Sequence, residues 1–224
     1  TIARADGAGF RLTGEGAFED GSTALTVNDS DATGITAPLG SISIPSEDSE
    51  YTGNDADVIA VDGGTLSESG TWRNVGVPWR VGGDLYLEGT GLGSAVLTIE
   101  AGNQVNSTGG IYVSYYGGAA GLIAEGTADA KIWFSGTSDD PGSWSGIGFY
   151  GAANDSNCRL SYVDIGYGGG TFLQANLYAS DANPRLTNVH LHDSEEYGLY
   201  LNGTANPART NVTYADNASG DVWE

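Results

Sequence analysis

The chain has 224 residues, among them 36 Gly, 6 Pro and no Met, and its 29 Asp and Glu against 8 Lys and Arg leave a formal net charge of -21. That charge repels phosphate backbones and anionic lipid, so neither nucleic acid nor an anionic membrane surface is an expected partner. Gly is costly inside helices and useful in tight turns, and no long stretch carries helical periodicity. Many short strands joined by many turns are expected, in a single domain spanning residues 1–224.

No apolar run reaches the length needed to span a bilayer, and no signal peptide or initiating Met is present. The opening Thr1-Ile2-Ala3-Arg4 reads as mid-strand, which suits either a processed mature protein or a fragment of a longer chain. The stretch from Ile2 to Gly14 aligns without a gap onto Leu191 to Gly203: apolar, acidic and Gly positions coincide. Leu25-Thr26-Val27-Asn28-Asp29 matches Val212 to Asp216 after a small shift. Either any two turns of this chain look alike, or a module slightly shorter than the chain repeats in tandem. On the second reading residues 1–57 are the end of a preceding module and 58–224 are the main one. Neither end carries a convincing cap.

Short β-rich runs follow at 84–87, 96–99, 111–114, 122–124, 132–134, 147–150, 160–165, 176–178, 186–191, 199–201 and 211–214, separated by Gly, Asn, Asp and Ser. Two-residue hairpin turns do not join them. Instead similar segments return at a longer interval. Arg159-Leu160-Ser161-Tyr162-Val163-Asp164-Ile165 resembles Arg185-Leu186-Thr187-Asn188-Val189-His190-Leu191, and Asn211 to Tyr214 resembles Asn188 to Leu191. A second series interleaves: Gly148-Phe149-Tyr150, Leu177-Tyr178, Leu199-Tyr200-Leu201. Two strand series sharing a period of roughly 25 residues mark a solenoid. One coil cannot bury its apolar face alone, so each must stack on the next.

The middle of the chain carries a more specific pattern. It runs through Gly64-Thr65-Leu66, Thr71-Trp72-Arg73, Val77-Pro78-Trp79-Arg80-Val81 and Gly83-Asp84-Leu85-Tyr86-Leu87. It continues with Leu97-Thr98-Ile99-Glu100-Ala101-Gly102, Leu122 to Ala128, Lys131 to Gly136 and Pro141-Gly142-Ser143-Trp144-Ser145-Gly146-Ile147. This resembles the parallel β-helix repeat proteins of bacterial and archaeal surfaces, which have a pectin lyase-like fold. Ala101 and Lys131 stand where that group commonly has Pro. The resemblance is strong from Val58 to Tyr167 and looser to Glu224. It implies an all-β, right-handed parallel β-helix in an extracellular or cell-surface setting. It says little about activity, since one fold hosts many functions.

The enzymes of that fold use Asp-bound calcium with a basic proton acceptor, or closely spaced Asp residues beside His-Gly and Arg-Ile-Lys motifs; neither set is visible here. Asp139-Asp140 precedes Pro141-Gly142 and reads as a solvated turn rather than a catalytic pair. His190 and His192 alternate on one strand and share a face, with Asp193 next. They are either surface polar residues or a two-histidine metal site, for which no further ligand has suitable spacing. Glu47, Asp48, Glu50, Asp55 and Asp57 crowd around Tyr51, and Asp193, Glu195 and Glu196 form a second cluster. Solvated charge is the first reading of both. Weak Ca2+ ligation by Asp139, Asp140, Asp193, Glu195 and Glu196 is the alternative, and no other cofactor is expected.

Tyr112, Tyr115 and Tyr116 lie together, and Tyr150, Tyr178 and Tyr200 take matching places in successive coils. Such a column either stabilises neighbouring strands or forms a strip for sugars. No regular Thr columns of an ice-binding face are evident. Sequons begin at Asn28, Asn106, Asn154, Asn202, Asn211 and Asn217. Cys158, the one cysteine, has no disulfide partner and no motif of a nucleophile, so it is expected to be buried and inert. The leading expectation is a non-catalytic rod, stalk, adhesin or filament whose coils stack end to end on like subunits or neighbouring modules. Its rivals are a polysaccharide lyase or hydrolase, and a carbohydrate-binding β-helix.

Overall fold

The computed structural model describes residues 1–13, 18–19, 21–37, 39, 44–91, 93–170 and 172–224. Gly14, at the end of the first self-similar stretch, lies outside them. The chain is all-β, with a large sheet in which every strand pairing is parallel; one turn of 3-10 helix at Asp155–Asn157 is the only helical element among the described residues. Among the described residues no helix is long and apolar enough to cross a membrane.

Apart from Thr33–Ala37, which pairs with the next strand Ala56–Leu66, strands do not pair with their neighbours in sequence. Each pairs with a strand roughly one coil away, so the pairings fall into three columns, or sides. On the first side Phe10, Ile35, Ile59, Trp79, Val105, Phe134, Ile165, Leu191 and Tyr214 stand rung upon rung. On the second, Leu66, Leu87, Val113, Phe149, Ala179 and Leu201 do the same. On the third, the column is Trp72, Ile99, Ala124, Leu160 and Leu186. Alternation along the straight stretches of strand sends these residues inward and their neighbours outward. The three inner columns merge into one core, in which burial of each large apolar side chain contributes about 1.5–3 kcal/mol. Trp72 and Trp79 stack within it, ring centroids 4.9 Å apart and nearly parallel.

The pairing of Arg159–Gly166 with Arg185–His192 carries the repeat seen in the sequence: Leu160 faces Leu186, Val163 faces Val189 and Ile165 faces Leu191. The offset there is 186 − 160 = 26 residues. It falls to 222 − 199 = 23 at the last coil and rises to 147 − 111 = 36 where the loop 136–145 is accommodated. Both long strands bend mid-way through a residue of positive φ: Tyr162 at 48° and Asn188 at 52°. Asn211, also at 52°, continues that corner, and its Nδ2 donates to Asn188 Oδ1 at 2.6 Å. A second corner is turned by Tyr167, Asp193 and Asp216 at 61°, 50° and 52°. Asn and Asp tolerate this left-handed region better than other side chains do, which explains why acidic and amide residues recur at these places.

One sequence expectation meets a different geometry. Tyr150 does not share a rung with Tyr178: Gly148 does, and Tyr150 faces Ser180. Of the two similar stretches, Ile2 pairs with Val27 in a separate two-stranded sheet, and Leu191 belongs to the first side. The strand Ala56–Leu66 spans position 57 and pairs with Thr33–Ala37 on one edge and Trp79–Leu87 on the other, so the stack is continuous there.

Candidate functional site

Two outer faces carry chemistry. The second side presents a file of aromatic rings. Tyr86 faces Tyr112, Tyr112 faces Gly148, Gly148 faces Tyr178, Tyr178 faces Tyr200 and Tyr200 faces Trp223. Centroid separations are 5.1 Å for Tyr86–Tyr112, 5.4 Å for Tyr178–Tyr200 and 4.3 Å for Tyr200–Trp223. At the Gly148 rung the ring of Tyr150 folds back over the missing side chain; a Cβ there would lie 3.1 Å from Tyr150 Cε2. Tyr115 closes the remaining gap, 5.6 Å from Tyr112 and 5.0 Å from Tyr150. Tyr116 and Phe172 stand out from the file, 69% and 54% exposed.

Two hollows lie along this file with Phe172 between them. One, of about 300 Å3, is lined by Asp84, Tyr86, Tyr112, Tyr115, Ser145 and Phe172. The other, of about 200 Å3, is lined by Tyr150, Phe172, Gln174, Tyr178, Tyr200 and Asn202. Polar groups flank the rings: Asp84 Oδ1 accepts from the Gly110 N–H at 2.8 Å, and Asn202 Nδ2 donates to the Tyr178 hydroxyl at 3.2 Å. Burial raises the pKa of Tyr112 and Tyr150 above the ordinary phenol value, so both stay neutral.

The first side presents a polar line: Gln104, Trp133, Asp164, His190 and Thr213 in register, with His192 beside them on the rung of Gly166. A groove of about 310 Å3 opens here, lined by Gln104, Trp133, Ser135, Asp139, Asp164, Tyr167 and His192. Trp133 is half exposed, while Asp164 is buried. His192 Nε2 lies 2.6 Å from Asp164 Oδ1, and its Nδ1 lies 2.7 Å from Asp193 Oδ2. The ring rests over Gly166, where a Cβ would meet His192 Cε1 at 2.4 Å. The hydrogen bond to Asp164, opposed by partial burial and reinforced by Asp193, raises the His192 pKa above its ordinary value. His190 stacks on His192 at 4.9 Å, and its Nδ1 lies 3.0 Å from Thr213 Oγ1.

The acidic residues singled out from the sequence go to different places. Asp139 lines the groove, Asp140 accepts from Ser138 Oγ at 3.0 Å in an exposed turn, and Asp193 holds His192. Glu195 lies against Gly142, and Glu196 accepts from Ser219 Oγ at 2.6 Å. Among the described residues, one group of three His, Cys, Asp or Glu side chains converges, and it is Asp164, His190 and His192. Asp164 was not a candidate from the sequence, because it lies one coil away from the histidines. Of the sequons, Asn154, Asn202 and Asn211 are exposed; Asn106 is engaged with Ser135 and Gly136, and Asn217 with Leu191 and Ser194. Cys158 is fully buried.

Comparison with protein-family models, with curated protein sequences and with solved structures gives no match.

Proposed function

We propose that the chain is a right-handed parallel β-helix that acts outside the cell or on its surface as a non-catalytic rod, and that its aromatic side binds carbohydrate. The observation that carries this reading is the file of rings from Tyr86 to Trp223, which follows the stacking direction of the coils and leaves Tyr115, Tyr116, Phe172 and Trp223 exposed along it. Pyranose rings present apolar C–H faces that stack on Tyr and Trp, while their hydroxyls need polar partners at the rim. Asp84, Gln174 and Asn202 supply such partners beside the two hollows. The net charge of -21 favours a neutral polymer over a polyuronate. Like subunits or neighbouring modules stacking on the end coils would lengthen the file, since each added coil adds a rung.

Affinity electrophoresis through gels containing neutral β-glucans, xylan or mannan, with pull-down on insoluble chitin and cellulose, tests the proposal. Retardation by at least one neutral polymer is expected, lost in the Tyr116→Ala/Phe172→Ala double variant. Free migration in every gel and no retention on either solid would refute it. The groove beside Trp133, with Asp139, Asp164 and Tyr167 on its walls, is the one feature that favours the rival reading of a polysaccharide lyase or hydrolase. New reducing ends, or unsaturated products absorbing in the ultraviolet, would decide for it.

A further inference from the structure

We infer that Asp164, His190 and His192 form a three-ligand site for a divalent transition-metal ion on the outer face of the first side. The two histidines are residues i and i+2 of one strand, so both rings leave the same face. Asp164 occupies the rung directly beside His190 on the adjacent strand. One ligating atom from each of the three lies within 4.8 Å of the other two. Tetrahedral coordination at about 2.0–2.2 Å from the metal puts neighbouring ligand atoms about 3.3 Å apart. The His192–Asp164 pair at 2.6 Å opens by less than about 1 Å to reach that spacing, and the wider pairs close by no more than about 1.5 Å.

The surroundings prepare both imidazoles as metal ligands. His192 Nδ1 faces the Asp193 carboxylate and His190 Nδ1 faces the Thr213 hydroxyl. In metal sites such partners orient the ligating imidazoles. His192 Nε2 faces the Asp164 carboxylate, 2.6 Å away, and Asp164 is only 4% exposed. A metal ion held there would also engage His190, which the proton shared by His192 and Asp164 does not. The absence of a side chain at Gly166 gives the His192 ring its place. The groove in front of Asp164 and His192 leaves room for an exchangeable fourth ligand such as water. Two imidazoles and one carboxylate select Zn2+, Co2+ or Ni2+ over Ca2+ or Mg2+.

The test is titration of the chelator-treated protein with Zn2+ by calorimetry and with Co2+ by visible absorption. One equivalent of each is expected, with the intense d–d bands of a low-coordinate Co2+ site and a rise in melting temperature on adding Zn2+. His190→Ala and His192→Ala abolish the bands and weaken Zn2+ binding by more than about a hundredfold, and Asp193→Asn weakens it by about 10–100-fold. His190 is partly exposed, so His190→Ala keeps the native circular dichroism and isolates ligand loss from misfolding. Absence of stoichiometric Zn2+ uptake would overturn the inference, as would uptake that survives both histidine substitutions. Neither outcome bears on carbohydrate binding, which uses another side of the coil.

Discussion

The single thiol offers a direct measure of how tightly the coils are stacked. Cys158 is fully buried where the short 3-10 turn ends and the strand Arg159–Gly166 begins. Its N–H donates to the Asp155 carbonyl, and its own carbonyl accepts from the Arg185 N–H of the next coil at 2.8 Å. Burial, only partly offset by a backbone hydrogen bond from Leu122, pushes the thiol up to about 12. At pH 8 the thiolate fraction is then about one in ten thousand, against about one in four for a free cysteine near 8.5. The ionisation penalty alone slows disulfide exchange by about two-thousandfold, before any steric exclusion of the reagent. Labelling with an aromatic disulfide reagent at pH 8 in native buffer is therefore expected to wait for the coil to open, at a rate that reports the opening free energy. In strong denaturant one thiol per chain reacts at the rate of a model thiol. Fast stoichiometric labelling of the native protein would refute the placement of Cys158 between stacked coils, and with it the local register of the third side.

Other consequences are equally open to measurement. Ile165→Ala, at a fully buried rung between Phe134 and Leu191, is expected to cost about 2–5 kcal/mol in urea unfolding; a cost below about 1 kcal/mol would place Ile165 outside a packed column. Gly121→Ala puts a methyl group about 2.6 Å from Asn157 Cβ and against its backbone carbonyl, so a clear drop in melting temperature is expected by calorimetry. Gly148→Ala pushes on the Tyr150 ring rather than on backbone, and the expected result is altered near-ultraviolet tyrosine dichroism with a smaller loss of stability. Asp181, whose carboxylate accepts from the Thr204 N–H and hydroxyl, has its pKa lowered mainly by the backbone contact. Its stabilising contribution is present above the unfolded value of about 3.9 and is lost as pH falls through the lower native value. Asp181→Asn is therefore expected to flatten the acid side of the stability profile, read by denaturant midpoints between pH 5 and 2.

The parts of this architecture legible in the sequence are those in which adjacent rungs carry the same kind of residue. Leu160 over Leu186 and Val163 over Val189 repeat because both inward positions fill the same core. The corner between them repeats an amide at Asn188 and Asn211 because both must adopt positive φ. The aromatic file was legible as composition and not as register. Tyr150 looks equivalent to Tyr178 along the strand, but Gly148 takes the rung and lets the Tyr150 ring fold back over it. Asp164 was hidden for a different reason. Ligand spacing within one strand shows only His190 and His192, whereas the third group comes from the preceding coil at 190 − 26 = 164. Applying the coil period to the two histidines would have found it.

The same rule explains why the two outer faces differ so sharply. In a parallel stack each outward position repeats with the coil period, so a favourable pair on one rung becomes a ladder when the next coil carries a like residue. On the second side, rings contact rings for most of the stack, and the contacts stabilise neighbouring strands even without a ligand. The first side shows no such ladder of like residues. Trp133, Asp164, His190 and Thr213 occupy four successive rungs with four different chemistries. Stacking gains nothing from a buried carboxylate placed beside imidazole, and its desolvation is costly unless a cation pairs with it. A polar line that departs from the repeat and buries Asp164 beside His192 is the part of this surface whose composition coil stacking does not account for.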